Sequence, residues 1–207
     1  MLARDADYYR ELQTQTGWGR TLFGFASWCA PQPGWHTLDV GCGPGLLPGI
    51  FEKMGCRAVG IDLDDAMFKP AALYPDIAVA DVVHLPFKTQ TFDLITASNL
   101  VFLLSEPIEA LKSMKPFLAL GGRIAMLNPS ESLNEQAVSR FADENGLHGL
   151  ARQTLLNWAR RAAVNYHWTE AETYALYRAA GMNCLESQLK VGPGFGRFSI
   201  GRLEAPE

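Results

Sequence analysis

The chain has 207 residues, 48% of them hydrophobic and 19% charged, with a formal net charge of −4. At roughly 150 residues per domain this is one domain with a full core and some decoration, and the composition excludes a disordered, collagen-like or coiled-coil chain. With 22 acidic residues against 18 basic ones there is no whole-chain positive excess for binding phosphates, which disfavours a nucleic-acid partner. No apolar run approaches the roughly 18 to 20 residues of a membrane span, and Met1 to Arg10 alternates charges with tyrosines instead of forming a signal-peptide centre. The expectation is a soluble, cytoplasmic protein with no membrane partner. Cys29, Cys42, Cys56 and Cys184 form no C-x-x-C pair, so free thiols and no metal site are expected.

Residues 1–34 carry an aromatic-rich helical pattern with Tyr8, Tyr9, Trp18, Phe23, Phe25 and Trp28. Trp35 to Val40 then reads as a strand, followed by the loop Gly41-Cys42-Gly43-Pro44-Gly45 and a short helix that stops near Met54 and Gly55. Arg57 to Ile61 is a second strand with Asp64 placed to cap a brief helix, Ile77 to Ala80 a third, and Phe92 to Ala97 a fourth. Ser105 is expected to cap a helix running to about Lys115, with Pro107 in its first turn, and Gly121-Gly122 leads into a fifth strand, Arg123 to Leu127. Residues 129–168 read as two inserted helices. The first opens on a Ser132-x-x-Glu135 capping box, repeats Leu133, Ala137 and Phe141, and ends at Gly146; the second shows Leu155, Trp158, Ala159 and Ala162 on one face. Thr169-x-x-Glu172 is a further capping box, opening a helix that stops at Gly181, and Asn183 to Lys190 is a sixth strand. The turn Pro193-Gly194-Phe195-Gly196 precedes the alternation of Phe198 and Ile200 with Arg197, Ser199 and Gly201.

The central strands are nearly continuous apolar runs, as buried parallel strands are, and their alternation with helices predicts a doubly wound α/β sheet with right-handed crossovers. The turn at residues 193–196 is too short for a crossover helix, so the seventh strand must run antiparallel to the sixth. The chain is expected to be a single domain over 1–207, with 1–34 as a helical cap segment and 129–168 as a helical lid over the substrate site.

The glycine-rich loop directly follows the first strand and precedes a helix. At the carboxyl edge of a parallel sheet such a turn lets a ligand approach the backbone, with helix N–H groups facing its negative charge. A dinucleotide fingerprint starting at Gly41 needs glycine at position 46, where Leu46 stands, and no G-K-[ST] follows for a nucleotide triphosphate.

The segment Leu38 to Gly45 resembles the first motif of the class I S-adenosylmethionine-dependent methyltransferases, Val59 to Asp64 their second-strand end, and Ala80 to Phe87 their adenine-binding segment. Phe92 to Asn99 is similar to their fourth-strand motif and Leu118 to Leu127 to their fifth-strand entry. The resemblance covers about residues 35–127 in the family's order and implies a Rossmann-like seven-stranded sheet with the last strand antiparallel. It also implies S-adenosylmethionine as cofactor, with S-adenosylhomocysteine as product. The acceptor it suggests is a small molecule, as in the ubiquinone-biosynthesis-like group.

On that basis Gly41, Cys42, Gly43 and Gly45 form the methionine-binding loop, Cys42 through its backbone, and Asp62 accepts from both ribose hydroxyls, the device NAD enzymes also use. Leu63 packs on the adenine face, Asp81 accepts from the adenine amino group, and the N–H of Val82 meets a ring nitrogen. Asp39 either pins the loop or balances the cofactor's positive charge. Ser98 and Asn99, at the end of the fourth-strand motif, are also expected to bind the cofactor, and Ser98-Asn99 departs from the Asn-Pro-Pro-Tyr type of tetrapeptide, which lowers the case for amide N-methylation. The aromatics Tyr8, Tyr9 and Trp18 either close over the cofactor or simply pack. No catalytic base is fixed by the sequence. His167, Tyr166 and His148 are weak candidates, His84 is a poor one, and Arg160 and Arg161 either attract an anionic acceptor or form a solvated face. A sensor of the cofactor without turnover stays open as the alternative, as does monomer against homodimer.

Overall fold

The computed structural model describes residues 3–68 and 72–203, with side chains from residue 7 onward; the outermost residues of the expected single domain, 1–2 and 204–207, lie outside it, as do 69–71. Seven strands form one sheet in the order β3-β2-β1-β4-β5-β7-β6. They are β1 (His36–Val40), β2 (Arg57–Asp62), β3 (Ile77–Val79), β4 (Phe92–Ser98), β5 (Leu118–Pro129), β6 (Met182–Lys190) and β7 (Gly196–Leu203). The pairs among β1 to β5 are parallel, and β7 runs antiparallel to both its neighbours. The doubly wound α/β sheet with a reversed last strand is therefore the observed architecture.

Side chains of successive strand residues point to opposite faces, and both faces here are covered. Leu38, Val40, Ile95, Ile124 and Met126 pack beneath α4 (Pro107–Met114) and α7 (Glu170–Ala179). Leu94, Ala125 and Leu127 face α2 (Trp18–Trp28), α3 (Leu46–Lys53) and α6 (Gly149–Ala163). Each fully buried leucine or isoleucine contributes roughly 1.5–3 kcal/mol over leaving it in water, which is why the central strands tolerate so few polar residues. The remaining helices are α1 (Ala3–Gln15), which leads into α2, and α5 (Glu135–Glu144), which packs on α6.

Two helix starts differ from the sequence expectation. Ser105 does not cap α4: the N-cap is Glu106, with no side-chain bond, because Pro107 at the first helical position holds the preceding residue out of helical geometry. Nor does Ser132 cap α5. Its N–H is taken by Ser130 Oγ at 3.1 Å within a tight turn, so the helix begins two residues later, where Asn134 Oδ1 accepts the Ala137 N–H at 2.8 Å. The Thr169–Glu172 box on α7 forms as expected, with both reciprocal bonds present. The fifth strand is longer than expected, running through Gly121-Gly122, with a register shift against β4 between Phe92 and Leu94.

Both ends of the insertion are tied to the sheet by Arg197 on β7, which is 5% exposed. Its guanidinium donates to both oxygens of Glu131 at 2.9 and 3.0 Å, to the Trp168 carbonyl at 3.3 Å and to Ser187 Oγ at 3.0 Å. On the other side of the sheet's midline, β1 pairs with both β2 and β4, and the chain winds outward from it in opposite directions. That reversal opens a crevice above the carboxyl ends of these strands, where open α/β sheets take their ligands.

Candidate functional site

A cavity of about 1030 Å³ occupies that crevice. Pockets for single drug-sized molecules run to about 1,000 Å³, so this one has room for two small molecules side by side. Its floor comes from the strand tips: Asp39 and Gly41 to Gly43 at the end of β1, Asp62 to Asp64 after β2, and Ser98 to Leu100 after β4. Its roof and far wall come from α1, α2 and α6, including Tyr8, Tyr9, Trp18, Asn157 and Trp158.

The loop after β1 is held from beneath. The N–H groups of Gly41 and Cys42 both donate to the Ile61 carbonyl, at 2.8 and 2.9 Å, and the Gly43 N–H donates to Asp62 Oδ2 at 2.9 Å. Gly41 and Gly43 adopt φ of +72° and +54°, and a side chain at Gly41 would approach Leu100 to 3.1 Å. The backbone thus lies open to the cavity. Gly45, expected in the same role, is not part of the cavity wall: at φ +92° it opens α3, and a Cβ there would meet Tyr74 at 3.1 Å. Cys42 is buried, and burial together with Asp39 and Asp62 pushes its thiol up, so it stays neutral.

Asp62 receives a second backbone bond, from the Asp64 N–H to Oδ1 at 3.0 Å. A carboxylate offers about four acceptor positions, so two remain for a ligand. Burial raises its pKa, partly offset by the bonds from Asp64 and Gly43. Asp39 is 2% exposed, accepts from Thr96 Oγ1 at 2.7 Å, and is pushed up to about 7 by burial, with Asp62 adding to the shift. A cation bound beside these two acids would favour their ionised forms and offset the cost of burying them.

The other expected residues divide. Leu63, Ser98 and Asn99 line the cavity, as do Tyr8, Tyr9, Trp18, Arg160 and Arg161. Asp81 and Val82 do not: Asp81 Oδ1 accepts the Val83 N–H at 3.1 Å and the Val82 side chain belongs to the core. They sit beside the β2 tip, to which the Ala80 N–H is bonded through the Asp62 carbonyl at 3.0 Å. His148, Tyr166 and His167 are all outside the wall. His148 is the exposed N-cap residue of α6, Tyr166 stacks on Trp168, and His167 Nδ1 lies 3.1 Å from the Ala162 carbonyl. His84 is exposed on the loop after β3.

Several wall residues were not anticipated: Gln13, Asp64, Thr154, Asn157 and Trp158. Thr154, Asn157, Trp158 and Arg161 stand at i, i+3, i+4 and i+7 on α6, a helical stripe beside the apolar one already visible in the sequence. Buried polar atoms normally have partners. Gln13 Oε1, Asp64 Oδ2, Asn99 Oδ1, Thr154 Oγ1 and Trp158 Nε1 are buried in this wall with none among the described residues. On the strand-tip side these orphans are acceptors, beside Asp39 and Asp62. S-adenosylmethionine carries an ammonium, a sulfonium, ribose hydroxyls and an adenine amino group, so the residues present fit it.

Residues 38–126 match the family model described as a methyltransferase domain. The match covers somewhat less than half of the chain. A ubiquinone biosynthesis O-methyltransferase from Coxiella burnetii is 29% identical over 98 residues, 44% of this chain and 42% of the relative, so the match spans less than half of that protein. The methyltransferase fold is also that of a chain from the Haloferax volcanii complex of the Trm112 methyltransferase activator with its methyltransferase partner: 17% identity, TM-score 0.72, covering 98% of this chain and 96% of that one. A Burkholderia thailandensis 1,6-didemethyltoxoflavin-N1-methyltransferase, solved with 1,6-didemethyltoxoflavin and S-adenosylhomocysteine, aligns at 17% identity and TM-score 0.67 over 95% of this chain and 82% of that one. The matched segment spans most of β1, all of β2 to β4 and most of β5, and its loops supply the cavity floor. The roof and far wall lie outside the matched segment.

Proposed function

We propose that the chain transfers a methyl group from S-adenosylmethionine to a small-molecule acceptor by in-line displacement. One observation carries this: a single cavity receives the glycine loop after β1, the acids at the β1 and β2 tips and Ser98-Asn99 after β4, and continues into an aromatic chamber under α1, α2 and α6. Gly41 to Gly43 hold the amino-acid end of the cofactor, Asp62 takes the ribose diol through its two free acceptor positions, and Leu63, which is 69% exposed in the wall, covers one adenine face. Asp81 and the Val82 N–H, beside the β2 tip and outside the present wall, would be the groups placed to meet the adenine edge when the cofactor is bound. Ser98 and Asn99 border the reacting end. The small-molecule acceptor is supported by the chamber's size and by the ubiquinone-pathway relative.

When bound, S-adenosylmethionine supplies a methyl group already activated by its sulfonium, so the work left to the protein is alignment, exclusion of water and stabilisation of charge. The aromatic roof excludes water, and the acids at the strand tips favour the cationic donor over its neutral-sulfur product.

Calorimetry with S-adenosylmethionine and S-adenosylhomocysteine, followed by transfer of labelled methyl groups in a metabolite extract, tests the proposal. Binding of both with label appearing in a low-mass product supports it. Binding without any labelled product supports a cofactor sensor instead, and no binding of either removes the cofactor assignment.

A further inference from the structure

The cavity is electrically polarised. Among the described residues its carboxylates, Asp39, Asp62 and Asp64, come from the strand tips, and its cations, Arg160 and Arg161, come from α6. Arg160 is paired with Glu135 at 2.9 Å on the outside of the insertion. Arg161 has no carboxylate partner among the described residues: it donates to the Tyr9 hydroxyl and lies 5.9 Å over the Tyr9 ring. It is the end of a row of donors on one stripe of α6, following Thr154, Asn157 and Trp158. Thr154 and Trp158 are each only 7% exposed, yet Thr154 Oγ1 and Trp158 Nε1 have no hydrogen-bond partner among the described residues. An indole N–H can only donate, and buried donors are normally paired, so this wall is built for a group rich in acceptors.

The rest of the chamber is largely aromatic and apolar. Trp18 meets Trp158 edge-on, with ring centroids 5.3 Å apart, and Phe102 closes the side toward β4. Aromatic walls of this kind favour an aromatic guest, which they can meet face-on or edge-on. An anion arriving there is drawn to Arg161 and repelled from the acids at the strand tips, which sets its direction relative to the cofactor. The cavity's titratable groups are the three acids, Cys42, two tyrosines and two arginines. Among the described residues no imidazole or amine lines the cavity to act as a general base, so this wall suits an acceptor whose reacting atom already presents a lone pair.

We propose that the methyl acceptor is a planar aromatic molecule bearing a carboxylate, and that this carboxylate is received by the α6 donor row Thr154, Asn157, Trp158 and Arg161. The assignment rests on the methyltransferase reading above and adds the acceptor's class to it. One guanidinium with neutral donors matches a monoanion better than a phosphate dianion, which calls for more positive charge.

The two claims separate in one experiment. S-adenosylhomocysteine is titrated first by calorimetry, and absence of binding there removes the methyltransferase reading itself. With it bound, benzoate, 2-naphthoate and indole-3-carboxylate are titrated alongside their primary amides and phenyl phosphate, following the tryptophan fluorescence. At least one carboxylate is expected to bind about tenfold or more tighter than its amide, the gain of a charge-assisted hydrogen bond. In Arg161→Gln that preference should vanish, and Arg161→Lys should restore part of it. Because Arg161 is exposed and makes no ion pair among the described residues, the melting temperature of Arg161→Gln should match the wild type. Amides binding as well as carboxylates, no aromatic binding at all, tighter binding of the phosphate, or a carboxylate preference that survives Arg161→Gln would each overturn the assignment.

Discussion

Asp62 accepts the N–H of Gly43 at 2.9 Å, so the acid at the tip of β2 holds the glycine loop at the tip of β1. Its other oxygen accepts the Asp64 N–H at 3.0 Å. The carboxylate is thereby oriented before any ligand arrives. Asp62→Ala removes both the loop's anchor and the proposed ribose acceptor, and is expected to weaken S-adenosylhomocysteine binding by about 1–3 kcal/mol. Asp62→Asn keeps one acceptor oxygen and should lose less. Calorimetry on the two variants checks the order; equal affinity in wild type and Asp62→Ala would remove the ribose assignment.

Gly43 adopts φ +54°, and a Cβ built there meets nothing nearer than Gln13 Nε2 at 3.8 Å. Space therefore permits a substitution, but the backbone does not: an L-residue in this region costs roughly 1–2 kcal/mol, and a β-branched one more. Gly43→Val is expected to leave the sheet intact by circular dichroism while moving the loop and abolishing measurable cofactor binding. Binding at wild-type strength would show that the loop does not lie against the ligand.

The sheet was legible because buried parallel strands leave a simple trace, a few consecutive apolar residues between turns, and the Gly41 to Gly45 loop fell between two such elements. Helix starts were less legible. Ser130, Ser132 and Asn134 compete for the same backbone groups, and only the fold shows that Ser130 Oγ, which also donates to the Gly194 carbonyl at 2.5 Å, takes the Ser132 N–H. The α6 wall was half visible. Leu155, Trp158, Ala159 and Ala162 marked the face that packs, but Thr154, Asn157 and Arg161 look like any solvated stripe until the cavity is seen beside them. Likewise, spacing placed Gly45 in the loop but could not show that it turns toward Tyr74.

Asp39 predicts a pH signature in the unliganded protein. Burial moves it up to about 7, from about 3.9 in an unfolded chain. Between those values the folded state binds the proton more tightly, so stability falls as pH rises from about 4 to about 7 and levels off above. Asp62, also raised, slopes in the same direction. Asp39→Asn keeps an acceptor for Thr96 Oγ1 but cannot ionise, so it should be more stable than wild type at pH 8 and show a flatter profile. Urea unfolding from pH 5 to pH 8 measures both. Parallel wild-type and variant profiles would mean that Asp39 titrates alike in the folded and unfolded states.

Arg197 makes a different kind of prediction, because it fastens the insertion at both ends, through Glu131 at the start and the Trp168 carbonyl at the finish. Arg197→Ala strands those acceptors beside β7. Breaking a fully buried ion pair costs about 3–5 kcal/mol. The Glu131 side chain is 38% exposed and water can take over part of the lost bonding, so the expected loss is nearer about 2 kcal/mol. Arg152, which pairs with Asp143 on the exposed side of the same insertion, is the comparison, and Arg152→Ala should cost under about 1 kcal/mol. Urea unfolding gives both values, and limited proteolysis should cut Arg197→Ala within residues 131–168 faster than either wild type or Arg152→Ala. Similar costs and cleavage rates for the two variants would mean that the insertion is held by the apolar contacts of α6 and not by the guanidinium.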